Sequence, residues 1–179
     1  MKGIIFNVTE KAVVELLGED AWDDLLDDAG VAGDYTALGT YDDDELIALV
    51  VAAAARTGHD PAEVQRLIGR HALANLVATI EEFVDLDGHV FDFLSSIHGI
   101  IHVEVKKLDP ESKPPDIEPH RISENELQLH YKSDRGLSPL AEGLILGAGD
   151  LFETPLEVEA MSQSAGATET KLLVRLVDD

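Results

Sequence analysis

The spacing of apolar residues first changes period at a proline pair. Before Lys113-Pro114-Pro115 the apolar residues recur at helical intervals, and after it alternating runs appear, with one helical stretch between them. In the first part, Val8, Val13, Leu16 and Leu17 predict a helix over Asn7 to Leu17, ended by Gly18. Asp20 is placed to cap a second helix through Leu26, with Gly30 beyond it. Asp42 to Glu45 put negative charge at a helix start ahead of Leu46 to Val50, and Gly58 breaks that helix. Asp60-Pro61-Ala62-Glu63 is a start signal, with Asp as cap, Pro in the first turn and Glu able to reach back. That helix is expected to run toward Ile80 and Phe83, and another spans about Val90 to Leu108, with Lys106 and Lys107 at its end. Asp109-Pro110 and the proline pair form a stiff connection.

After the prolines, Leu127, Leu129 and Tyr131 alternate with Gln128, His130 and Lys132. Leu156, Val158 and Ala160 alternate with acids, and Leu172, Val174 and Leu176 continue the period of two. Ser138-Pro139 opens a helix through Phe152 between the strand pairs. The order of helices, strand pair, helix, strand pair predicts an α+β fold with an antiparallel sheet.

Composition narrows the function. A length of 179 residues fits one domain. Thirteen basic against 36 acidic side chains give a net charge of −23, which argues against a binder of nucleic acid or anionic membrane. That charge suits solubility and a basic partner face. An apolar fraction of 45% separates the chain from a disordered acidic tail. The absence of cysteine excludes disulfides, thiolate zinc sites and cysteine nucleophiles, while seven histidines leave nitrogen-ligated metals open. The opening residues lack the apolar run of a signal peptide, and the longest apolar run, Ile47 to Ala55, is too short to span a bilayer. A soluble, cytoplasmic protein is expected.

Two places could carry chemistry. His102 stands among Ile100, Ile101, Val103 and Val105, which suits either a core histidine or a metal ligand. His98 lies one turn earlier, and such a pair can hold zinc, but Gly99 stands where a metalloprotease motif needs Glu. The second place is Tyr131-Lys132-Ser133-Asp134-Arg135. In an extended strand, Tyr131, Ser133 and Arg135 share one face, offering two hydroxyls and a planar cationic fork suited to carboxylates. Alone, such a strand end is ordinary surface. Together, the helical histidine, the proline turn and the Tyr-x-Ser-x-Arg face are what a haem needs: an axial nitrogen for iron and donors for two propionates.

At this point the sequence resembles the haem–nitric oxide/oxygen-binding (H-NOX) family, in its stand-alone bacterial form. The resemblance rests on Met1-Lys2-Gly3, Trp22, Ile101-His102-x-Glu104-Val105-x-Lys107-Leu108, the paired prolines, Tyr131-x-Ser133-x-Arg135, and Ala141 to Ile145 with Gly147. It implies a single haem-binding domain over 1–179, with an N-terminal helical lobe over roughly residues 1–60 and a haem-ligating lobe over 61–179. The second lobe would hold a four-stranded antiparallel sheet, with haem b (iron protoporphyrin IX) between the lobes. It further implies that His102 is the proximal iron ligand and that Tyr131, Ser133 and Arg135 clamp the propionates. Pro115 would press the haem out of planarity, and Ile5 would pack against it.

The family divides at its distal pocket, where oxygen binders carry a Tyr at the position matched here by Leu140. Leu76 and Leu144 are expected in the same pocket. Thr9 is the nearest candidate donor unless its hydroxyl bonds its own helix. His71 and Asn75 share the helix of Leu76. An oxygen ligand gains about 1–3 kcal/mol from a donor, so the resemblance implies a nitric oxide sensor (also binding CO) that excludes oxygen. Family members of this kind signal by release of the proximal histidine to a separate histidine kinase or cyclic-di-GMP synthase or phosphodiesterase. The cysteine-rich zinc site of many bacterial members has no counterpart in Met161 to Thr168. The competing readings are an oxygen or redox sensor on the same fold and a cofactor-free acidic interaction module. No His–Asp relay accompanies Ser133, so a serine hydrolase has little support, and no enzymatic activity is expected.

Overall fold

The computed structural model describes residues 1–164 and 168–177, and of Leu108 the backbone alone. Four helices come first: α1 (Gly3–Leu17), α2 (Ala21–Ala29), α3 (Asp43–Thr57) and α4 (Pro61–Val77). A 3-10 turn (Glu81–Phe83) leads to α5 (Val90–Ser96), a π-helical turn (Ile97–Ile101) and α6 (His102–Leu108). Strands β1 (Asp116–Arg121) and β2 (Glu126–Lys132), helix α7 (Ser138–Leu151), and strands β3 (Leu156–Gln163) and β4 (Glu169–Leu176) complete the order. The mixed fold with an antiparallel sheet is the one the period change predicts.

Several local signals act as expected. The Asp42 carboxylate accepts from the Asp44 amide, and Asp60 accepts from Ala62, with Pro61 in the first turn of α4. Gly30 and Gly58 end α2 and α3 in the left-handed conformation. Others differ. α1 starts at Gly3, before the apolar spacing begins, because the Gly3 and Ile4 amides donate to the carbonyls of Gly39 and Ala37. Asp20 is itself helical and caps nothing, and Glu63 turns to Arg66 at 3.2 Å instead of reaching back. α4 stops at Val77, short of Ile80.

The helix expected over Val90 to Leu108 is continuous in path but carries one π turn directly before His102. Such turns occur mostly as single bulges, frequently at functional sites.

The sheet order is β1-β2-β4-β3, antiparallel throughout. Leu127, Leu129 and Tyr131 of β2 face inward with Leu172 and Val174 of β4. β1 escaped the apolar pattern because Ile117 is its only large aliphatic residue, and Pro119 is tolerated there because β1 is an edge.

Two apolar cores form. One gathers Phe6, Trp22, Leu25, Leu46, Leu49 and the first half of α4. The other gathers Leu73, Val77, Phe91, Leu94 and the inner sheet face. α4 therefore runs through both, and it lies backbone to backbone against α7. A Cβ at Gly143 would stand 2.2 Å from the Arg66 carbonyl oxygen, and one at Gly69 would stand 2.3 Å from that of Leu140. Arg66 also pairs with the buried Glu142 at 2.6 Å, locking the crossing. Among the described residues no helix is long and apolar enough to cross a membrane.

Candidate functional site

His102 opens α6 immediately after the π turn. Its side chain is half-buried, and Nδ1 is buried without a hydrogen-bond partner. Burial pushes the imidazole down to about 4, and the neighbouring His98 adds to this, while the Pro115 backbone opposes it. The ring is thus neutral at pH 7, the form that ligates a metal. The two histidine rings lie 6.5 Å apart and nearly perpendicular. His98 turns away toward Asp116 of β1, 3.1 Å distant. Among the described residues no three histidine or carboxylate side chains are placed to share a metal ion.

The Tyr-x-Ser-x-Arg segment is built differently from the extended face that alternation predicts. Tyr131 is buried on the inner face of β2. Burial raises its phenol, while the Ser133 hydroxyl and the Leu137 backbone partly offset that. The strand ends at Lys132, so Ser133 and Arg135 lie beyond it. The Ser133 amide donates to the Thr168 carbonyl at 2.8 Å, continuing the sheet by one bond. Its Oγ then accepts from the Arg135 amide at 3.3 Å, and Gly136 follows at φ +64°. A serine turn, rather than a pleat, brings Arg135 round. Lys132 points to the outer face, onto Glu118.

The Arg135 guanidinium is held at two points. Nε donates to Asp43 of α3 at 2.9 Å, and Nη1 donates to the Lys113 carbonyl at 2.6 Å, just before Pro114-Pro115. Asp43 also meets the Met1 amino group at 2.6 Å. Although burial raises the Asp43 carboxyl, these two cations hold it below the usual carboxylate range. Arg135 so joins α3, the proline connection and the end of the sheet. Asp43 and the Lys113 carbonyl carried no signal in the sequence: the first reads as helix-start charge, and its partner stands 92 residues away.

The apolar candidates divide between the cores. Ile5 and Leu140 pack against the helical core, Leu144 against the sheet core, and Leu76 is half-buried on α4. The three possible donors are engaged elsewhere. Thr9 is buried and donates to the Ile5 carbonyl of its own helix at 2.8 Å. Asn75 accepts from Lys11 at 3.3 Å, and His71 lies 3.5 Å from Glu15, both at the surface. Two shallow surface hollows, one on the outer sheet face and one beside Leu17 and Arg56, touch none of the candidate residues.

These residues fit a haem in their chemistry. A neutral imidazole nitrogen without a partner suits iron, the phenol, hydroxyl and guanidinium suit propionates, and the aliphatic side chains suit a porphyrin.

A family model described as Haem-NO-binding matches residues 2–160. The chain belongs to this family. Solved structures agree with it. A triple mutant of an H-NOX protein from S. oneidensis, in the Fe(II) ligation state, is 31% identical with a TM-score of 0.90, over 100% of this chain and 97% of that one. An H-NOX protein from S. oneidensis in the Fe(II)NO ligation state is 32% identical with a TM-score of 0.88, over 99% and 100%. A point mutant of an H-NOX protein from K. algicida, Fe(II) and unliganded, is 25% identical with a TM-score of 0.86, over 100% and 98%. No curated protein matches the sequence. The H-NOX fold, a haem-binding sensor architecture, is thus established for this chain. Residues 165–167, in the stretch where a zinc site was not expected, lie outside the described residues.

Proposed function

We propose that this H-NOX chain senses nitric oxide through a ferrous haem b and excludes oxygen. The chain acts as one domain of two lobes, approximately residues 1–60 and 61–179. The haem supplies the iron that takes the gas. His102 supplies the proximal nitrogen, which its depressed proton affinity keeps free of competition from protons at neutral pH. Tyr131, Ser133 and Arg135 hold the propionates, Pro115 bends the ring, and Ile5, Leu76, Leu140 and Leu144 line it. Release of His102 frees the α5–α6 segment and carries the signal, a two-state switch biased by the ligand. The output is a sensor's rather than an enzyme's: a separate histidine kinase or a cyclic-di-GMP synthase or phosphodiesterase reads the change.

The observation that carries the choice of nitric oxide is the Thr9 hydrogen bond to Ile5. With that proton used inside the helix, and with leucine at 140, a bound oxygen lacks a donor worth about 1–3 kcal/mol. Nitric oxide and CO need no such donor. The likeness to a protein described in its Fe(II)NO state supports the same reading.

The reduced protein exposed to air tests it. Slow oxidation without a stable oxygen complex is expected, and a persistent oxygen-bound spectrum would overturn the exclusion. Co-purification with an enzyme whose activity changes on adding nitric oxide is the expected result for the output. A partner enzyme indifferent to nitric oxide would contradict that part.

A further inference from the structure

The helix that bears His102 is tied at its far end to the other lobe. The Asp109 carboxylate, directly after α6, lies 2.6 Å from the Lys2 ammonium, with 23% and 18% of the two side chains exposed. Both partners are held from behind. The Asp109 amide donates to Val105, and its other carboxylate oxygen accepts from the Glu111 amide at 3.2 Å. Lys2 pairs through its backbone with Thr40, and its ammonium also reaches the Leu38 carbonyl at 3.4 Å. Next to it, the Gly3 and Ile4 amides are bonded to Gly39 and Ala37, and the Lys2 carbonyl accepts from the Ile5 amide at 3.0 Å. Gly3 sits so close to the 31–41 loop that a Cβ there would stand 1.9 Å from the Thr36 carbonyl oxygen. A freely exposed ion pair contributes little. This one is mostly shielded and ends on rigid backbone at both sides.

We infer that Lys2 is a positioning residue. Its ammonium on Asp109 couples the end of the His102 helix to the start of α1 and to the 31–41 loop, and so carries movement of that helix into the helical lobe. The inference rests on the proposed haem site at His102 and adds a route that does not pass through Arg135. At the near end, His98 faces Asp116 of the sheet. The helix is therefore anchored to its own lobe before His102 and to the opposite lobe after α6. A shift of α6 displaces Lys2, and with it Ile5 one turn along α1.

Amide hydrogen exchange on the haem-loaded ferrous protein, with and without nitric oxide, tests this. In the unaltered protein, nitric oxide is expected to change exchange at Gly3, Ile4 and Gly39 by about fivefold, a coupling-sized effect. Lys2→Met and Asp109→Asn should each reduce that response to under about twofold while the response at 103–109 persists. The exchanged pair, Lys2→Glu with Asp109→Lys, should restore it. A full response at Gly3, Ile4 and Gly39 in Lys2→Met, or failure of the exchanged pair to restore it, overturns the coupling. The Soret band of the same samples separates the two readings. Its absence defeats the haem site, whereas its presence with an uncoupled response defeats the role of Lys2 alone.

Discussion

At the end of β2, Tyr131 is 4% exposed, the Ser133 amide extends the sheet, and Arg135 donates to a carboxylate and a carbonyl from two other segments. At the helix that carries His102, a π turn interrupts the hydrogen bonding, and Ile100 and Val103 are 52% and 41% exposed. There the His102 Nδ1 is buried without a hydrogen-bond partner. The first region is packed and cross-linked to two other segments and defines a fixed point. The second has few buried contacts on its outer side, the condition under which a segment opens at low cost. The proposed sensor needs both: a clamp that keeps its cofactor through the switch, and a ligand-bearing segment able to leave.

The largest effect should come from breaking the yielding side. His102→Gly removes the axial nitrogen, and the ferrous protein is expected to retain a normal spectrum only when imidazole is added. A spectrum unchanged without imidazole would refute the ligand assignment.

Acid and base should separate the regions next. In the haem-free chain, His102 titrates at about 4 when folded and near its ordinary 6.5 when unfolded. The unfolded chain therefore takes up the proton first. Stability from this group is complete above pH 6.5 and is lost as pH falls toward 4, by about 3 kcal/mol at most. Denaturation midpoints at pH 7 and pH 4.5 check this, and His102→Gln should flatten the slope. Tyr131 acts in the opposite window, because its raised phenol stabilises below pH 10 and is lost above it.

Arg135→Ala breaks the clamp. Loss of charge-assisted bonds of about 1.5–3 kcal/mol should speed haem transfer to an acceptor apoprotein by about tenfold or more. The nitric oxide response at the helix should survive in the haem that remains. Leu140→Tyr leaves both regions intact and tests the proposed distal side of the haem. Oxygen affinity should rise by about one decade, read from an oxygen titration of the ferrous protein. No rise would place residue 140 away from the ligand.

Much of this contrast was legible in the residues. The period change at Pro114-Pro115 predicted the order of helices and strands, and Asp42 and Asp60 marked helix starts that their carboxylates do cap. His102 and Tyr131-x-Ser133-x-Arg135 stood out because their chemistry is local in sequence. What stayed hidden depends on distant partners or on backbone detail. A π turn needs one extra residue in a helical run, and although Gly99 and three isoleucines weaken the helix over Ile97 to Ile101, apolar spacing does not reveal the extra residue. Alternation placed Arg135 on a strand, because a serine accepting from an amide two residues on leaves no mark in apolar spacing. Asp43 reads as helix-start charge and Asp109 as part of a stiff Asp-Pro connection, and their bonds to Arg135 and Lys2 join segments far apart in the chain. Thr9 could be named as a donor but not oriented until its bond to Ile5 was seen.

The most direct measurement is the absorption spectrum of the reduced protein under anaerobic conditions, before and after nitric oxide, with haem retention followed in the same sample. The account predicts a ferrous Soret band of a histidine-ligated haem that moves to shorter wavelength as the axial nitrogen is lost, while the haem stays bound through Tyr131, Ser133 and Arg135. A band that keeps its axial-histidine signature after nitric oxide, or a protein that takes up no haem, would contradict it.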